Sequence, residues 1–185
     1  MNGIGKLVLR ATVGGYFFGH GMQKLAGWFG GGGPEETGQM FEQVGLRPGR
    51  ENALLAGAAE ATGGSLLALG LFTPAAVSML SGVMTNAIRH VHWQNGLWNT
   101  NGGVEYPVVI LAALAAIAED GPGRYSLDER LGIRLHGPVV MALAMGAGAA
   151  GAVYVAERGP ELYEALLHDS DEPLTRAGTP VPTAD

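Results

Sequence analysis

The sequence predicts an all-α, polytopic membrane protein: a four-helix bundle followed by an additional C-terminal transmembrane helix. Three observations carry that reading. Apolar residues make up 47% of the chain and charged residues 15%, so few side chains demand water. Glycine, at 31 of 185 residues, lies far above the roughly 7% of average chains, and small residues in apolar runs let membrane helices approach closely. Residues 91–107, VHWQNGLWNTNGGVEYP, form a polar, aromatic, glycine-rich segment between two uncharged apolar runs. So many donors and acceptors beside hydrocarbon suggest a built site at a membrane surface.

Five apolar segments can be drawn, against the ~20 residues that a bilayer-spanning helix needs. The first covers residues 4–22. Arg10 interrupts it and no small-residue cleavage site follows before Lys24, so it reads as a retained membrane helix rather than a signal peptide. The GGGG run at residues 30–33 lacks the Lys-Ser/Thr and the strand of a phosphate loop and reads as a turn before Pro34. Residues 35–50 contain QMFEQVGL, a short amphipathic stretch suited to the membrane surface. The second and third segments, residues 52–72 and 74–92, are joined through Thr73 with Pro74 at the first helical position, which predicts a tight antiparallel hairpin. The fourth, residues 104–118, spans only if Glu105 and Asp120 mark its boundaries. The fifth, residues 138–156, carries no charge, and Ala144, Gly148 and Ala152 make a small-residue stripe expected to pack on a neighbour. A soluble bundle is the competing arrangement, since a buried soluble helix can also be apolar all round. The expected organisation is residues 1–135 as the four-helix bundle, 136–158 as the fifth helix and 159–185 as a polar, disordered tail. That tail dilutes the mean hydropathy to +0.17.

The absence of cysteine excludes disulfides and thiolate chemistry by the chain itself, and a net charge of −6 argues against nucleic acid. Alternating spans bring the end of the first segment, the start of the second, the end of the third and the start of the fourth to one side. His20, Gln23 and Lys24 therefore share a face with Arg50, His90, His92, Asn95, Asn101, Glu105 and Tyr106, and with Trp28, Trp93 and Trp98. Trp28 reads as part of an interfacial belt, while Trp93 and Trp98 suit either belt or site wall. That face is expected to look outward, because Arg124, Arg130 and Arg134 crowd the opposite side, although Lys24, Arg47 and Arg50 oppose this assignment.

Arg10 and Glu60 stand deeper, where a central charge costs roughly 2.5–3.5 kcal/mol on insertion scales. Arg10, Gly14, Phe17, Gly21 and Lys24 share one helical face; Gly57, Glu60, Gly63 and Gly64 share another. The simplest expectation is a structural Arg10–Glu60 ion pair. The functional alternative makes Glu60 a proton carrier or ligand anchor. His90 and His92, two positions apart, point to nearly opposite faces of a helix, so no metal site is expected. A histidine near a carboxylate at the membrane surface suits proton transfer, which makes His92, Glu60, His20 and Glu105 the catalytic candidates.

The motifs HGMQKLAGWFGG (residues 20–31), AEATGGSLLALGLFT (59–73), VHWQNGLWNTNGG (91–103), VEYP (104–107) and GPGRYSLD (121–128) together resemble the DoxX family of membrane proteins. The likeness runs from about Leu7 to Asp128. Carried over by resemblance, the shared polar positions are Arg10, His20, Gln23, Lys24, Glu60, His92, Asn95, Asn101, Gly102, Gly103, Glu105 and Tyr106. The family implies a four-helix bundle, so the fifth segment and tail depart from it. The resemblance further implies a multi-pass protein of the bacterial plasma membrane associated with redox complexes. Two roles follow. One is an accessory or scaffold subunit, without independent catalysis, of a thiosulfate or oxidative-stress complex with thiosulfate sulfurtransferase and superoxide dismutase as partners. The other is a quinone-interacting subunit of thiosulfate:quinone oxidoreductase type, in which His20, Gln23, Lys24, Glu60, His92, Asn95, Trp98, Asn101, Glu105 and Tyr106 would bind ligand.

Overall fold

The computed structural model describes residues 3–170, which contain helices and no strand. Seven α-helices are found among them: α1 (Gly3–Ala26), α2 (Gly33–Gln43), α3 (Gly49–Leu69), α4 (Thr73–Ala87), α5 (Glu105–Asp120), α6 (Leu127–Leu131) and α7 (Pro138–Ser170). The last apolar segment continues past its expected end, through Pro160 to Ser170. Residues 171–185 of the expected tail lie outside the described residues.

Two close helix crossings hold the bundle, and both follow from glycine placement. Gly14 and Gly21 of α1 press directly on the α3 backbone at Gly64 and at Gly57 with Ala61. The sequence numbers run in opposite senses, so α1 and α3 are antiparallel. On the other side, Gly148 of α7 abuts the backbone at Ser78 and Gly82 of α4. Here the numbers rise together, so these helices are parallel. The Ala144, Gly148 and Ala152 stripe is buried at this contact, as its spacing predicted. Between the crossings, Phe17, Leu67, Val77, Leu80, Leu114 and Ile117 form the apolar centre.

Many large apolar side chains lie on the outer surface while Lys6, Arg10, Glu60 and Asp128 lie inside. Ile4, Val109 and Leu143 are each more than 60% exposed, whereas Arg10 has no exposure. That inversion suits a protein whose outer solvent is hydrocarbon. Among the described residues only Pro138–Glu161, 24 residues whose most apolar 18-residue stretch has a mean hydropathy of 1.9, is long and apolar enough to cross a membrane by itself. α1 and α3 are interrupted by buried Arg10 and Glu60, and α4 and α5 are only 15 and 16 residues long. They obtain their cover from each other.

The α3–α4 hairpin is as tight as Thr73-Pro74 predicted, and it is fixed from outside by two buried charges. Arg10 donates to the carbonyl oxygens of Leu67 (3.2 Å) and Ala68 (3.0 Å), at the C-terminal end of α3, and to that of Tyr125 (2.9 Å). Asp128 sits at the N-terminal end of α4 and accepts from Phe72 N (2.8 Å), Thr73 N (3.0 Å) and Thr73 Oγ1 (2.7 Å). A cation therefore meets the negative end of one helix dipole and an anion the positive end of the next. Gly70 in this turn has φ 63°, and a Cβ there would strike the Arg10 guanidinium, so glycine serves both conformation and space.

The expected Arg10–Glu60 ion pair is not formed. The first turns of α3 lie beyond α1 and pack instead on α2, where Gly38 meets Gly49 and Arg50. This offset brings Arg10 level with the end of α3 and places Glu60 beside the last turns of α1. Glu60 pairs there with Lys24.

Candidate functional site

Lys24 Nζ stands 2.7 Å from Glu60 Oε2, with the carboxylate side chain 5% exposed and the lysine side chain 18% exposed. The contact balances charge without good hydrogen-bond alignment, because Oε2 has no directed hydrogen-bond donor. Lys24 also donates to the carbonyl oxygen of His20 at 3.4 Å. Gly57 explains the close approach: one turn before Glu60, it faces the Cβ of Lys24 and the Leu25 side chain with no side chain of its own.

The pair borders a cavity of about 430 Å³. α3 and α7 both pack on α4, and the space between them is walled by Leu55 and Ala59 of α3, Met79 and Val83 of α4, and Gly151 and Val155 of α7. Met40 and Phe41 of α2, with Leu46, cover one end. The surface amphipathic stretch read in the sequence thus forms the roof. Asn52, Ser78 and Asn86 add polar groups to otherwise apolar walls. Such a chamber accommodates an apolar chain and a few directed polar contacts.

The other candidates are placed elsewhere. His20 is exposed and contacts Gln23 Oε1 through Nδ1 at 2.9 Å. His92, Asn95 and Glu105 direct hydrogen bonds into the connection between α4 and α5: His92 Nδ1 lies 2.6 Å from Gly102 O, Asn95 Nδ2 donates to Val91 O and Gly102 O, and Glu105 Oε2 accepts from Asn99 N. Backbone bonds from Val104 to Gly96 and from Glu105 to Leu97 close the same loop. Trp98, Asn101 and Tyr106 are exposed around it. The polar motif is thereby a folded connection. Among the sequence candidates, only Lys24 and Glu60 line the cavity.

Asn52, Ser78 and Asn86 were not singled out from the sequence. A signal existed in the two asparagines, each a lone amide in an apolar stretch. Asn52 donates to Pro48 O within its own helix, whereas Oδ1 of Asn86 is sealed without a partner.

Lys24→Met should destabilise the protein by about 3 kcal/mol, the low end for a pair whose lysine is partly exposed, because it strands the buried Glu60 carboxylate. The double change Lys24→Met with Glu60→Gln should recover most of that loss. Urea unfolding in a fixed detergent measures both; a double variant no more stable than the single would reject the ion pair as the cause.

An all-α bundle that buries charges such as Arg10, Glu60 and Asp128 among its helices while exposing many large apolar side chains is a membrane protein. The DoxX family model matches residues 5–93, which run from the first turn of α1 to just past the end of α4. A Mycobacterium tuberculosis protein described as an uncharacterized membrane protein is 28% identical over 139 residues, covering 69% of this chain and 82% of the relative. No solved structure matches the chain.

Proposed function

We propose that this is a multi-pass plasma-membrane accessory subunit of a redox assembly, and that its own task is to hold a lipid-soluble amphiphile in the cavity beneath α2. The observation that carries this reading is the combination of apolar walls with the buried Lys24–Glu60 pair at their edge. An amphiphile would lay its chain against α3, α4 and α7 and bring its polar head to the pair. The likeness to DoxX proteins supports the redox setting, with thiosulfate sulfurtransferase and superoxide dismutase as the soluble partners to test. The division of the chain into a bundle over residues 1–135, a further helix and a polar tail is retained as part of this reading, with the helix running on past the expected 158 to Ser170.

A quinone-interacting role is the second reading, favoured by a lysine ammonium at the edge of an apolar chamber, where it would donate to a carbonyl oxygen. His20, His92 and Glu105 are less suited to reach that head, because they bond within their own helix or loop.

Purification in mild detergent followed by mass spectrometry of retained small molecules and proteins tests the proposal. The intact protein should retain an amphiphile at near one-to-one ratio. The double variant Lys24→Met/Glu60→Gln should retain about tenfold less, equivalent to about 1.4 kcal/mol, while melting within a few degrees of the parent. Retention of the soluble redox enzymes without any amphiphile would instead favour a pure scaffold.

A further inference from the structure

The end of the bundle opposite α2 is crossed by a strap, residues 121–137, that plays no part in the cavity. It leaves α5 at Gly121, and its Arg124 and Tyr125 lie against Gly3 of α1 while Gly123 faces the Lys6 side chain. It then carries α6 to the α3–α4 turn, where Asp128 N donates to Gly70 O at 2.9 Å. Finally it returns to α5: His136 packs on Gly121, and Gly137 N donates to Ala118 O at 3.2 Å just before α7 begins. The strap is thus fastened at both ends and in the middle.

What projects from this held backbone is arginine beside leucine, twice. In the run RLGIRL of residues 130–135, Arg130 and Arg134 are exposed, and Leu131 and Leu135 are 64% and 59% exposed. Arg124 is exposed as well, over the ring of Tyr125. Among the described residues none of these three guanidiniums pairs with a carboxylate, whereas Arg50, Arg89 and Arg158 at the opposite end are each paired with a glutamate. Of the acids near the strap, Asp120 is engaged by Lys6 and Asp128 by the α3–α4 turn, which leaves Glu119 and Glu129 against three arginines. This end therefore presents uncompensated positive charge on a chain that is acidic as a whole.

A guanidinium forks onto phosphate oxygens and keeps its charge at any physiological pH. Large apolar side chains held out beside such cations mark a surface that enters a lipid head-group layer. The depth agrees, because Leu135 stands three positions before Pro138, the first residue of the helix long and apolar enough to cross a membrane. A soluble phosphate would use the arginines and leave both leucines in water.

We propose that the strap is a docking surface for anionic phospholipids, with Arg130 and Arg134 on the head-group phosphates and Leu131 and Leu135 among the uppermost acyl carbons. It is separate from the cavity beneath α2, so it stands or falls independently of the amphiphile held there.

The test uses the full chain in a fixed non-ionic detergent and two lipids with the same tails, dioleoylphosphatidylglycerol and dioleoylphosphatidylcholine, titrated by native mass spectrometry. The anionic lipid should bind about tenfold more tightly or better, since each cation near an anionic surface contributes roughly fivefold. Arg130→Gln/Arg134→Gln should cut that preference by about fivefold or more, and Leu131→Ser/Leu135→Ser should weaken both lipids together, with melting temperatures close to the parent. The charge-matched change Arg50→Gln/Arg158→Gln, which removes two paired arginines from the other end, should leave the preference unchanged. Glycerol 3-phosphate, a head without tails, should fail to displace the anionic lipid even in large excess. Equal binding of the two lipids by the unaltered chain, or an equal loss in the two arginine double variants, would overturn the proposal. Displacement by glycerol 3-phosphate would overturn the lipid assignment in favour of a soluble phosphate. Because the lipid preference is read first on the unaltered protein, and Arg134→Gln alone changes a residue outside any helix, poor folding of a double variant would not spare the proposal.

Discussion

Arg10→Met should lower the stability of the detergent-solubilised protein by about 4 kcal/mol or more, the largest loss expected from any single side-chain truncation in this chain. Three carbonyl oxygens accept from its guanidinium, two of them at the end of α3 and one in the connection after α5. Leu67 O keeps a bond from Gly70 N, but Ala68 O and Tyr125 O lose their donor, and each left unmatched away from water costs about 1–3 kcal/mol. The loss also removes the positive partner of the buried Asp128, whose carboxylate holds the start of α4. Arg10→Lys should recover less than half of the stability, because an ammonium cannot reproduce the guanidinium fork. Thermal and urea unfolding of the three proteins in the same detergent provide the measurement. A methionine variant melting within about two degrees of the parent would show that Arg10 is dispensable.

The same residue marks where sequence reasoning succeeded and where it stopped. Helical spacing correctly placed Arg10, Gly14, Gly21 and Lys24 on one face of α1, and Gly57, Glu60 and Gly64 on a facing stripe of α3. Periodicity gives the face of a helix but not its level against a neighbour. The level here is set by α2, which takes up the first turns of α3 and shifts the rest along α1. Arg10 and Lys24 are 14 positions apart, about 21 Å along a helix, so this shift decides which cation meets Glu60. Asp128 was equally hard to value in advance. Its role depends on a fold that returns it to the α3–α4 turn, 55 positions away in sequence from Thr73.

The prominent polar segment at residues 91–107 misled for a related reason. Its donors and acceptors are dense enough to satisfy one another, and they do so through His92, Asn95, Glu105 and the backbone of Gly102. Sequence density of polar groups signals a need for partners, not where those partners come from. The cavity, in contrast, is assembled from scattered residues of α1, α2, α3, α4 and α7. Lys24, Glu60, the small residues of α7 and the lone amides of α3 and α4 were its signals in the sequence.

Gly14→Ala and Gly15→Ala should separate sharply although the two residues are adjacent. A Cβ on Gly14 would lie 2.5 Å from Gly64 O and 2.7 Å from Ala68 N, backbone atoms that cannot swing aside. One on Gly15 would meet nothing within 4 Å. The first change must therefore push α1 from α3, straining both the Lys24–Glu60 contact and the Arg10 cap, and should cost about 3 kcal/mol, the upper end for overpacking. The second should be neutral or should stabilise by up to about 1 kcal/mol through improved helix propensity. Gly148→Ala against Gly151→Ala repeats the contrast in α7, since Gly148 abuts Ser78 O whereas Gly151 meets open space. Folded yield and melting temperature read all four variants. Equal effects of the two α1 changes would show that the α1–α3 backbones do not approach as closely as these glycines require.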